Sequence, residues 1–176
     1  MKYHSDLDPY RPFQHFIAEM MQADLPPDAS IDQVNAALPP SLSILYSAFR
    51  RSEPQQTPAA TFSSFLARLK ELDALSPDAD DLLHAPKLFG WALARHPTSL
   101  CSAIGYGTGH PDFRFGSPIV TSVVCRIDHD RRWVRTWNRF YQLEEYEAAT
   151  LEKLKAAGML KSDVTLGTLS DASGSL

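Results

Sequence analysis

The chain has 176 residues, of which 44% are apolar and 22% are charged, and its formal net charge at pH 7 is -4. This length and composition exclude a fibrous or disordered chain and predict a single domain over residues 1–160. The acidic balance, with a pI near 5.8, excludes a surface coated with basic residues for unspecific binding of DNA or membranes. Without a signal peptide or an apolar run of membrane-spanning length, we expect a soluble, cytoplasmic protein with no membrane partner.

Residues 1–97 are predicted to be helical. Apolar side chains recur at three-and-four spacing from Pro12 to Ala23, which is typical of an amphipathic helix. Ser30 and Gln33 have the form of a capping box that opens a second helix. Further helices are predicted around Leu42–Phe49, after Thr57–Pro58 and after Ser76–Pro77.

Residues 98–143 are predicted to form the sheet, because β-branched runs and glycines replace the helical spacing after Pro97. The predicted strands are 99–107, 119–127 and 132–143. A helix over 144–158 follows, with Gly158 as its cap, and residues 161–176 are expected to be a flexible tail. The sequence therefore predicts an α+β fold: an N-terminal helical layer packed on a small antiparallel β-sheet of three or four strands, followed by a C-terminal helix.

Arginines and aromatic residues alternate along the last predicted strand, RWVRTWNRFYQL. A turn at Asp128–Arg131 would pair Cys125 with Val134 and turn the alternate side chains outward. This outer face would consist of Arg126, Trp133, Arg135, Trp137, Arg139 and Tyr141. Such a face can bind a partner or stack on nucleic-acid bases. Alternatively, it is cation–π packing in which the arginine heads reach glutamates such as Glu144 and Glu145.

A second group of side chains has metal-ligand chemistry. His110, Asp112, Asp128 and His129 could hold a divalent ion that activates water, which would suggest a metal-dependent hydrolase. Their spacing matches no specific metal motif, and Asp128 and His129 are also typical turn residues. The glycines before His110 lack the spacing of a phosphate-binding loop. We therefore expect no metal and no cofactor, and we assign no catalytic residue.

Three motifs carry a resemblance to a family. They are DL..AP.L..W from Asp81 to Trp91, GHP at 109–111, and W.RT..RFY.L from Trp133 to Leu143, with Thr121 and Ser122 between them. Over about residues 76–143 the chain resembles a bacterial family of small proteins of unknown function, mainly proteobacterial and often plasmid-borne. The resemblance implies a shared fold and supplies no catalytic residues.

The function expected from these features is non-enzymatic binding of a protein partner, with the outer face as the contact. The resemblance further implies a bacterial accessory protein, an inhibitor or adaptor encoded by a mobile genetic element. Nucleic-acid binding through the same face is the first alternative, and metal-dependent hydrolysis is the second. The expected oligomeric state is a monomer or a small homo-oligomer.

Overall fold

A computed structural model describes residues 8–98 and 100–169. Ser99 of the predicted 99–107 strand and residues 170–176 of the predicted tail lie outside the described residues. The chain divides into two compact units, of which one is Phe13–Ala74 and the other combines residues up to 12 with those from 75 onward. The extent of the single domain, 1–160, stays a prediction. Within the described ranges, no helix has both the length and the apolar character to cross a membrane.

The Phe13–Ala74 unit is helical, as the sequence predicts. Its helices are α1 (Gln14–Met21), α2 (Ile31–Ala37), α3 (Ser43–Ser52) and α4 (Pro58–Ala74), with a short 3₁₀ turn at Pro40–Leu42. The capping box of α2 is confirmed, because Gln33 N–H donates to Ser30 Oγ and Ser30 N–H donates to the Gln33 side chain. Helices α1, α2 and α3 all contact α4. Phe65 of α4 packs against the rings of Tyr46 and Phe49, which anchors α3.

The other unit is built on a closed sheet. Its elements are α5 (Ala79–His84), β1 (Lys87–Arg95), β2 (Cys101–Thr108), β3 (Ser117–Ile127), β4 (Trp133–Thr136), β5 (Phe140–Leu143), α6 (Thr150–Ala156) and β6 (Thr165–Gly167). The strands pair in the order β2-β3-β4-β5-β1-β6, and β1 also pairs with β2. Strands β1 to β5 therefore close into a ring. The β1–β5 pairing is parallel and the other pairings are antiparallel, so the sheet is mixed.

The predicted small antiparallel sheet of three or four strands is wrong. Strand β1 falls in the part predicted to be helical, the predicted 132–143 strand is two strands, and Thr165–Gly167 adds a strand along the second half of β1. Helix α6 is also shorter than predicted, because residues 144–147 run beside β1 instead. Trp91 N–H donates to Glu145 O at 3.0 Å, and Glu147 N–H donates to Trp91 O at 2.8 Å. Gly158 follows α6 with φ +72°, as its predicted cap role requires.

Two apolar clusters explain why β1 resembles a helix in sequence. Leu88, Trp91 and Leu93 belong to a buried cluster with side chains from β2 to β5, whereas Ala92 and Ala94 pack on the other side with Leu151 and Leu154 of α6. Both faces of β1 are therefore buried. A strand buried on both faces is a continuous apolar run, which periodicity alone does not distinguish from a buried helix.

Candidate functional site

A tight hairpin divides the predicted arginine–aromatic strand. Strand β4 ends at Thr136 and β5 begins at Phe140. Thr136 N–H and its hydroxyl both donate to Arg139 O, at 2.9 and 3.0 Å, and Arg139 N–H donates to Thr136 Oγ1 at 3.3 Å. The chain therefore reverses at Trp137 and Asn138. Asparagine is a common turn residue because its side chain can bond to the nearby backbone.

The reversal changes which side chains share a face. The register pairs Arg126 with Arg135, Arg135 with Phe140, and Val134 with Tyr141. Val134 and Tyr141 belong to the buried cluster, so the predicted outward position of Tyr141 is wrong and Phe140 takes its place. The pairing predicted for Cys125 and Val134 is also wrong, because Val134 lies opposite Ile127.

The predicted cation–π packing is present on the outer face. The Arg126 guanidinium carbon lies 5.8 Å from the centre of the Trp133 ring, and that of Arg135 lies 4.8 Å from the centre of the Phe140 ring. The two rings meet edge to face at 5.7 Å, and both side chains are buried. Arg135 and Phe140 are thus a preformed stacked pair. Such stacking restricts the position of the guanidinium.

The hairpin meets the loop between β2 and β3. Arg139 Nη2 lies 3.9 Å from Asp112 Oδ2, and the His110 ring stacks on the Tyr141 ring with centroids 6.1 Å apart and planes 21° apart. Asp112 N–H donates to His110 Nδ1 at 3.1 Å, so a neutral His110 carries its proton on Nε2. Burial lowers the pKa of His110, the Arg139 charge lowers it further, and the Asp112 carboxylate opposes both. Burial raises the pKa of Tyr141.

Two of the predicted binding residues line an open cleft of about 490 Å³. One wall is the β4–β5 hairpin and the other is α5 with the residues that follow it. The lining residues are Asp80, Asp81, His84, Ala85, Pro86, Arg135, Asn138, Arg139 and Phe140. We call this cleft the α5–hairpin cleft.

A glutamine holds the two walls of the α5–hairpin cleft together. Gln142 of β5 donates from Nε2 to Leu82 O at 2.6 Å and to Ala85 O at 3.3 Å. Its backbone N–H donates to Pro86 O at 2.9 Å. These bonds satisfy carbonyl groups at the end of α5, where a helix leaves acceptors unpaired. These hydrogen bonds therefore attach the end of α5 directly to β5 of the hairpin.

The four candidate metal ligands form two pairs with other roles. His110 and Asp112 are 3.8 Å apart in the loop that contacts Arg139. In the β3–β4 turn, Asp128 binds Arg132 Nε at 3.0 Å and the His129 ring packs on Tyr10 at 4.5 Å. In the part of the chain that the structure describes, no group of three or more His, Cys, Asp or Glu side chains is placed to hold a metal ion.

The sequence does not predict the acidic wall. Asp78 and Asp81 form the capping box of α5, two residues beyond the predicted cap at Ser76, and this cap places Asp80 and Asp81 opposite the hairpin. The Asp-x-x-Asp spacing is the sequence signal that could have predicted this cap. Its position against Arg135 and Arg139 depends on long-range pairing, which one sequence does not reveal. Comparisons with protein-family models, curated proteins and solved structures find no match to this chain, and the family resemblance stays a prediction.

Proposed function

We propose that this chain is a non-enzymatic binding protein and that the α5–hairpin cleft receives a protein partner. The observation that carries the proposal is the Arg135–Phe140 stack beside Arg139 in an open cleft. Arginine and aromatic side chains that are held rigid contribute most of the binding free energy in protein interfaces. Because their positions are fixed before binding, little conformational entropy is lost when the partner docks.

Exposed apolar side chains next to the cleft support the same proposal. Leu83 of α5 is 75% exposed, and Phe113 and Phe115 are 49% and 87% exposed. Both phenylalanines are in the loop that brings Asp112 to Arg139. Apolar residues near a polar cleft are typical of a protein interface, where they form the part that becomes fully buried.

The charges of the α5–hairpin cleft favour a protein over a nucleic acid. Arg135 and Arg139 are opposed by Asp80 and Asp81 in the same lining, and Arg139 also faces Asp112. A polyanion would gain attraction from the arginines and lose it to the carboxylates. Nucleic-acid sites instead gather basic groups without such opposition.

Site-specific photo-crosslinking in the native host tests the proposal. A photoreactive amino acid replaces Asn138, which is exposed at the cleft, and in a control chain it replaces Glu152 of α6, whose side chain is 73% exposed. We expect a crosslinked protein at position 138 that is absent at position 152. Adding Arg139→Glu to the first chain should abolish the crosslink while the far-ultraviolet circular dichroism stays unchanged. Equal crosslinking at both positions, or none at 138, would contradict the proposal.

A further inference from the structure

The α5–hairpin cleft has walls of opposite charge. Asp80 and Asp81 lie on α5, and Arg135 and Arg139 lie on the hairpin. The Asp80 side chain is 82% exposed, and its carboxylate lies 3.4 Å from His84 Nδ1 of the same helix. Such an exposed pair contributes little free energy, so the Asp80 carboxylate can accept another cation at small cost.

The hairpin wall can likewise exchange its carboxylate partner. Arg139 is 34% exposed, and its contact with Asp112 is 3.9 Å long while the Asp112 side chain is 72% exposed. This distance is too long for a charge-assisted hydrogen bond, which is usually shorter than about 3 Å. A carboxylate that enters the cleft can therefore form the closer, bidentate contact that Asp112 does not make.

The two walls keep a fixed relation, because Gln142 bonds to the backbone of residues 82, 85 and 86. The cleft thus presents separated positive and negative sites on a frame that does not need to rearrange. Pro86 and Phe140, whose side chains are buried, also line the cleft. A cleft whose two walls carry opposite charges is complementary to a ligand that carries a negative and a positive charge close together.

We infer that the partner inserts a segment with one acidic and one basic side chain close together. The acidic side chain binds Arg139 on the positive wall, and the basic side chain binds Asp80 and Asp81. This inference rests on the proposed function and specifies the chemistry of the partner. Segments with charges of one sign are disfavoured, because one wall attracts them and the other repels them.

Selection from a phage library of random twelve-residue peptides against the full chain tests the inference. We expect the enriched peptides to share an acidic and a basic residue at a constant separation. One enriched peptide is then synthesised with a fluorescent label, and its affinity is measured by polarisation. Arg139→Glu and Asp80→Lys should each weaken its binding at least about tenfold, whereas Glu152→Lys, a matched charge reversal at an exposed position of α6, should leave its affinity unchanged.

Exchanging the charges of the two walls gives the decisive test. The double variant Asp80→Lys with Arg139→Glu should bind a peptide whose acidic and basic residues are exchanged, and should bind it better than the original peptide. That gain also shows that the variant is folded. Peptides that need Arg139 but carry no basic residue would overturn the inference and leave the proposed function standing. Failure to enrich any peptide, or enrichment that is insensitive to both substitutions, would overturn both.

Discussion

A single reversal of the chain decides which side chains form the candidate site. Alternation along a straight strand would turn Tyr141 outward with Trp133 and Arg135, but the turn at Trp137 and Asn138 shifts the pattern by one residue. Phe140 then stacks under Arg135, and Tyr141 enters the buried cluster, where His110 stacks on it. Because side chains alternate with a period of two, one misplaced residue exchanges the two faces of a strand.

The titration of His110 gives a prediction at the scale of one residue. Its pKa in the folded chain is lowered by burial and by Arg139, against the opposite effect of Asp112. The unfolded chain therefore holds the His110 proton more tightly than the folded chain does. The contribution of His110 to the free energy of unfolding is therefore fully present above the ordinary histidine pKa of about 6.5. It is lost as the pH falls below that value.

His110→Asn should therefore make the free energy of unfolding depend less on pH between 7 and 5. An asparagine side chain can still accept the Asp112 N–H bond, so the loop geometry is retained. Urea unfolding at several pH values gives the number of protons that the chain takes up when it unfolds. The substitution should lower that number by at most about one. His96, whose pKa burial also lowers, keeps its contribution in both chains. His129→Asn, at an exposed histidine, is the control, and an equal decrease there would contradict the prediction.

At the scale of elements, the local signals in the sequence are enough for the helices and fail for the sheet. The capping box at Ser30 and the proline that opens α4 depend on neighbouring residues, and both helices form as predicted. Closure of the sheet depends on Lys87 and Leu88 pairing with Gln142 and Leu143, more than fifty residues later. Nothing near either segment indicates this partner, so the sequence predicts that the apolar run of β1 belongs to the helical part.

The candidate site divides in the same way. Arg135 and Arg139 are predicted as binding residues, and both line the α5–hairpin cleft, although the turn moves Arg139 off the strand face that alternation assigns to it. The opposing wall comes from α5, more than fifty residues earlier in the chain, and its contact with β5 passes through the Gln142 side chain. A lone glutamine within a strand has no distinctive pattern. The sequence therefore predicts the positive half of the cleft but not the negative half.

The Gln142 side chain supports a prediction about how α5 is attached. Gln142→Met keeps a similar volume but removes the donor to Leu82 O and Ala85 O. With net contributions of about 0.5–1.5 kcal/mol per hydrogen bond, we expect the free energy of unfolding to fall by about 1–3 kcal/mol. Hydrogen exchange should accelerate in α5 more than in β3. Gln55→Met, at an exposed position, is the matched control, and equal effects of the two substitutions would show that the side chain does not hold α5.

At the scale of the whole molecule, two arginines of the second half, Arg132 and Arg139, have carboxylates nearby. Arg132 pairs with Asp128 and Asp130 at 3.0 and 3.3 Å, and Arg139 faces Asp112. These partners differ from the predicted glutamates, of which Glu144 pairs with Lys87 at 3.2 Å. The local excess of arginine in the sequence is thus reduced in the fold, in a chain whose formal charge is already -4.

This balance predicts that the intact chain does not bind nucleic acid. A polyanion approaching the hairpin would meet Asp80, Asp81 and Asp112 together with the arginines, and the overall negative charge would repel it at longer range. Polarisation measurements with labelled single-stranded DNA and RNA of about thirty nucleotides, at roughly 50 mM salt, should show no saturable binding, since phosphate contacts are strongest at low salt. A basic variant, Asp80→Lys with Asp112→Lys, should bind measurably. It should lose that binding as salt rises to about 200 mM, because the free energy gained by releasing counterions from the nucleic acid falls with added salt. Tight binding by the unaltered chain with the same steep salt dependence would instead make the hairpin arginines a nucleic-acid site and remove the basis for a protein partner.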